Sequence, residues 1–109
     1  MNCVRLTFSI ELFAKDNVVE EKLIKANPAL FGKRASEIFD ITIEALTRAG
    51  LMVYLNNHTS KSQWCCSTSD GDGLWYTDEY SEEDFFTCLD QLARRYSHNE
   101  RVIGMDLRN

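Results

Sequence analysis

Residues 4–12 alternate without interruption: Val4, Leu6, Phe8, Ile10 and Leu12 are apolar, and Arg5, Thr7, Ser9 and Glu11 between them are polar. That period of two predicts a strand buried on one face. Residues 16–34 carry a weaker pattern. Asp16 is placed to cap a short helix reaching Lys25, and Asn27-Pro28 would stop it, so a partly helical excursion is expected there. From Ala35 the period becomes helical. Ile38, Phe39, Ile41, Thr42, Ala45, Leu46 and Ala49 share one side, and Glu37, Asp40, Glu44, Thr47 and Arg48 the other, predicting a helix to Ala49 closed by Gly50.

Leu51, Val53 and Leu55 alternate again as a second strand, ended by the turn-forming run Asn56-Asn57-His58-Thr59-Ser60. Residues 62–68 and 74–77, rich in Trp, Tyr, Cys and Thr, flank Ser69-Asp70-Gly71-Asp72-Gly73 and predict a hairpin or a strand with a protruding turn. A second helix begins after Ser81, a good N-cap, with Glu82, Glu83 and Asp84 in its first turn, where the helix dipole favours negative charge. Phe85, Phe86, Cys88, Leu89, Leu92, Ala93 and Tyr96 form its apolar face, and a last strand runs from Arg101 to Leu107.

The order strand, helix, strand, strand, helix, strand contains an echo: Phe39, Ile43, Leu46 and Arg48 are spaced like Phe85, Leu89, Leu92 and Arg94. This suits a split βαβ arrangement. The expected fold is α+β, a ferredoxin-like two-layer sandwich in which an antiparallel sheet carries two helices on one face. Its other face would be open, bearing Arg5, Thr7, Ser9 and Tyr54. Residues 1–109 are read as a single domain.

A net charge of −5 opposes nucleic-acid binding, which depends on Lys and Arg displacing counterions from phosphates. The basic-Gly-aromatic strand of RNA-recognition domains is also missing. No run approaches the length of a membrane span, and the N-terminal segment is too polar for a signal peptide. The chain is expected to be cytosolic, with Cys3, Cys65, Cys66 and Cys88 reduced. In that compartment the Asn57-His58-Thr59 sequon carries no glycan.

No motif of high specificity appears. Asp70-x-Asp72-Gly73 with Glu79 fits part of a calcium loop, but Thr68 stands where Asp is needed, and Asp and Gly serve turns equally well. A Walker loop fails around Gly32-Lys33. Adjacent Cys65 and Cys66 in a strand would point to opposite faces and could not share one ion. His58 and His98 fall in expected loops, with nothing in the spacing that pairs either with a nucleophile. No catalytic residue, cofactor or metal is therefore assigned, and the expected protein is not an enzyme.

What remains is the segment 64–86, crowded with aromatic residues and carboxylates. Between Lys61 and Arg94 no basic residue interrupts Asp70, Asp72, Asp78, Glu79, Glu82, Glu83, Asp84 and Asp90. Read blandly, this is a solubilising rim. Read functionally, it is an interface in which Asp70, Asp72, Asp78, Glu79, Glu82 and Glu83 supply field and Trp75 or Tyr76 the apolar anchor for a basic protein partner. The leading expectation is a small binding protein of the inhibitor or immunity type. The alternative is a small-molecule binder or minor enzyme using the open sheet face or a pocket beside Trp64, Tyr54 and Arg5, and a homodimer burying that face would also fit.

Overall fold

The first alternating run forms β1, Cys3–Ser9, in the computed structural model, which describes residues 1–109. The strand stops short of Leu12 because the Ser9 hydroxyl accepts the Leu12 amide at 3.3 Å and caps a short helix, α1, Ile10–Ala14. Ile10 is buried all the same, as the first core residue of that helix. The excursion holds two single-turn 3-10 helices, Glu21–Leu23 and Pro28–Leu30. Asp16 caps neither. Its backbone is left-handed (φ 39°), and its two carboxylate oxygens accept the amide and hydroxyl of Ser36, each at 2.9 Å, at the start of α2, Ala35–Arg48.

Gly50, at φ 84°, turns the chain out of α2 as expected. The second strand, β2, Met52–Thr59, runs on through the residues read as a turn. The second helix, α3, Glu82–Tyr96, starts at the predicted cap: Ser81 Oγ accepts the Asp84 amide at 3.1 Å, and Asp84 returns the bond to the Ser81 amide at 2.7 Å. The last strand is β3, Val102–Asp106.

The sheet order is β1-β2-β3, and both pairings are parallel. This overturns the ferredoxin-like, antiparallel expectation. The cause lies in 60–81, where no strand forms. Asp70 gathers the amides of Cys66, Ser67 and Asp72, each at 3.0 Å, and curls the segment into local turns instead of a hairpin. Without that strand, each successive strand is reached through a helix, the connection parallel pairing requires.

One face of the sheet is covered. Phe8, Val53 and Leu55 meet Phe39 and Ile43 of α2 and Phe85, Leu89 and Leu92 of α3 in a single cluster. Phe8 and Phe39 pack edge to face at 6.3 Å. The two helices are tied at the rim by Asp40 Oδ1, which accepts Arg95 Nε and the Tyr96 hydroxyl, both at 2.7 Å. Cys88 is the buried thiol expected, and desolvation pushes its pKa up to about 12.

The opposite face is polar. Arg5, Tyr54 and Gly104 are register partners, and one layer further on so are Thr7, Asn56 and Asp106. β1 and β3 each have one strand neighbour. No helix is long and apolar enough to cross a membrane.

Candidate active site

In parallel β/α folds the loops at the carboxyl ends of the strands carry the chemistry, and in this chain the polar side chains of the open face gather there. Arg5 reaches across the sheet from β1: its Nε and Nη2 donate to Asp106 Oδ2 at 3.1 and 2.8 Å, and Nη2 also donates to Asn109 Oδ1 at 3.2 Å. Asp106 Oδ1 accepts Asn56 Nδ2 at 2.8 Å and the Asn57 amide at 3.1 Å. Burial alone would raise the Asp106 pKa, but the bonds from Asn56, Arg5 and Asn57 outweigh it and hold the carboxyl below its ordinary value.

That anion fixes a proton two residues away. Because Asn56 gives its NH2 to Asp106, its amide oxygen is turned toward His58 Nδ1, at 2.8 Å. An oxygen can only accept, so Nδ1 carries the hydrogen, and Nε2 of the neutral ring is left as a bare lone pair. His58 borders a cleft of about 460 Å³ together with Thr7, Ser9, Thr59, Ser62 and Trp64. Trp64 is 95% exposed.

Beneath this surface the polar residues are sealed. Asn56 and Asn57 are fully buried, and Asn57 Nδ2 donates to the Leu107 carbonyl at 2.8 Å. Arg108 pairs with Asp72 at 2.9 Å, and Asp72 Oδ2 also accepts the Ser60 amide at 2.8 Å. Asn57 Oδ1, Ser60 Oγ and Arg108 Nη1 remain buried without a protein partner.

The residues read as an interface are engaged in different ways. Asp70 is a turn-former, its pKa lowered first by the Asp72 amide. Asp72 is bound to Arg108. Glu79 is paired with Lys15 at 2.8 Å and also with Lys61, and these two cations lower its pKa. Glu82 accepts the Trp75 indole N–H at 3.0 Å, and Trp75 meets Tyr76 edge to face at 5.3 Å; both rings are about two-fifths exposed. Asp78 and Glu83 are exposed. The calcium-like spacing does not assemble a cage, since Asp70, Asp72 and Glu79 are each engaged elsewhere. His98 is exposed beyond α3.

Arg5 was a candidate for the open face, and the structure gives it central contacts. Asn56, Asn57, Asp106 and Asn109 were missed. Their signal was position: each lies at or just beyond the end of an apolar run, which matters only once the strands are known to be parallel. Cys65 and Cys66, expected as separate thiols, are joined by a disulfide beside His58.

Residues 1–109 match the cellulase family, glycosyl hydrolase family 5, along their whole length. A glycosyl hydrolase 5 family protein of Chamaecyparis obtusa is 32% identical over 124 residues, covering 99% of this chain and 22% of that protein. The major extracellular endoglucanase of Xanthomonas campestris is 32% identical over 108 residues, covering 99% of this chain and 21% of that protein. Among solved structures, a hyperthermophilic endocellulase of Pyrococcus horikoshii superposes with a TM-score of 0.72 at 31% identity, over 99% of this chain and 27% of that one; a variant of the endocellulase from that organism has been solved with cellotetraose. The chain thus spans about a quarter of the length of these relatives. The parallel strands and their helices are an arc of the TIM-type barrel. A match of this extent overturns the reading as a non-enzymatic inhibitor or immunity protein, and with it the expectation that no enzyme is involved: the chain belongs to glycosyl hydrolase family 5.

Proposed function

We propose that this chain forms part of the substrate cleft of a glycoside hydrolase acting on cellulose-type glucan chains. The observation that carries the reading is the connected set Arg5–Asp106–Asn56–His58, which runs from the middle of β1 to Asp106 and His58 at the carboxyl ends of β3 and β2, in a chain of this family. Glycoside hydrolysis uses two carboxyl groups, one of them protonated at working pH. Asp106 is not suited to be that acid, because Asn56, Arg5 and Asn57 keep it ionised. Its task is positional. It holds the Arg5 cation on the open sheet face and sets the tautomer of His58, which borders the cleft, so that the chain contributes a fixed array of hydrogen-bonding groups to sugar hydroxyls.

The cytosolic location expected from the sequence gives way here to an oxidising one. The extracellular relative supports this reading.

The test is calorimetric titration with cellotetraose alongside release of reducing ends from a soluble cellulose derivative. Arg5→Ala is expected to lower kcat/KM by about a hundredfold or more, the scale on which a misplaced polar array acts, with little change in melting temperature. A protein that neither binds nor cleaves cello-oligosaccharide, or an Arg5→Ala variant with unchanged kcat/KM, would overturn the proposal.

A further inference from the structure

One ring nitrogen of His58 and the two sulfurs of Cys65 and Cys66 lie within 4.8 Å of one another at the rim of the cleft. In a strand through 62–68 the adjacent side chains of Cys65 and Cys66 would diverge and could not share an ion. The segment is not a strand, and both sulfurs lie within 4.8 Å of one ring nitrogen of His58. We propose that, once the Cys65–Cys66 disulfide is reduced, Cys65, Cys66 and His58 form a binding site for one soft divalent cation of the zinc and cadmium class.

Three features of the surroundings suit this. Two thiolates and an imidazole are the donor set soft and borderline ions select, and three protein ligands leave a fourth position for water. The Asn56 oxygen accepts from Nδ1, which fixes the tautomer with Nε2 free, the arrangement in which a ligating histidine is held by a hydrogen bond on its other nitrogen. Third, Asp70 holds the amides of Cys66 and Ser67 at 3.0 Å. Those bonds do not involve the sulfurs, so the turn that carries Cys66 does not depend on the sulfur–sulfur bond.

The chemistry balances with a phosphine as reductant. Disulfide, phosphine and one water give two thiols and the phosphine oxide; the cation then replaces both thiol protons, which leave to solvent. In the oxidised protein neither sulfur has a negative charge to offer, and the site is closed.

The experiment uses the protein reduced with a phosphine, freed of reductant under argon and titrated with cadmium chloride, reading the ultraviolet thiolate-to-metal band. One equivalent per chain is expected, with no band in the oxidised protein, none in Cys65→Ser/Cys66→Ser, and binding at least tenfold weaker in His58→Ala. The oxidised wild type keeps its fold and serves as the reference that no variant can spoil. A disulfide that resists reduction, an equal band in the double serine variant, or undiminished affinity in His58→Ala would each overturn the proposal. Because the readout is metal binding rather than hydrolysis, such a failure leaves the proposed function untouched, and failure of cellotetraose binding leaves this site untouched.

Discussion

Gly104 shows how tightly a single residue can constrain the open face. A Cβ built there would stand 2.7 Å from Cε2 of Tyr54, so that ring lies directly over the glycine in the adjacent strand. Gly104→Ala is therefore expected to push the ring aside and cost about 1–3 kcal/mol, the usual penalty of overpacking, read as a lower denaturation midpoint; a variant as stable as the parent would show that the ring moves freely. The neighbouring polar residues were the hardest to read. Asn56 and His58 have the composition of a turn, and nothing in a local window separates a turn from the polar end of a strand whose loop carries chemistry. What distinguishes them is Asp106, fifty positions from Asn56 and in another strand, which turns an ordinary amide into the group that fixes a histidine tautomer.

Elements were legible where their own residues determine them. Both long helices lie close to where periodicity placed them, because an apolar stripe and a cap are local properties; α2 and α3 bury Phe39, Leu89 and Leu92 of the expected faces, but the α2 stripe is turned so that Ile43 is buried and Ile41, Ala45 and Ala49 are exposed, and Phe86 of α3 is exposed as well. The Ser81 cap joins that stripe to the long preceding loop. Ser81→Ala, by leaving the Asp84 amide without its partner, should cost about 1 kcal/mol, seen as a small drop in melting temperature with the helical circular dichroism retained; a loss of helix signal would mean the cap nucleates α3 rather than trimming it. The segment between β2 and α3 was misread for the converse reason. Its aromatic and Cys-Thr composition resembles a strand, but three amides turned onto one Asp70 carboxylate satisfy locally the groups a hairpin would have paired.

At the scale of the whole molecule, the misread segment decided the fold, because one strand more or fewer converts a parallel order into an antiparallel one. The uneven charge also resolves at this scale: Lys15, remote in sequence, and Lys61 both pair with Glu79 in the acidic stretch, and Lys15 also pairs with Glu11. Glu11 itself ties α1 to the rest, accepting the Ser62 amide and the Tyr80 hydroxyl, each at 2.8 Å. Burial opposes its ionisation, but those bonds and Lys15 win and bring its pKa down to about 2. A carboxyl depressed on folding stabilises the fold fully above its unfolded value, near 4.5, and loses that contribution as pH falls toward about 2. The unfolding midpoint should therefore fall more steeply through that window in the parent than in Glu11→Gln; matching slopes would remove Glu11 from the acid response.

A parallel sheet with a single neighbour for each outer strand has a further consequence. The outward amides and carbonyls of β1 and β3 are templates for more backbone, and the polar face between them is unroofed. Closing such an arc into a ring would satisfy those groups and turn the unroofed face inward, so that Arg5 and Asp106 would line the ring's interior instead of meeting bulk water.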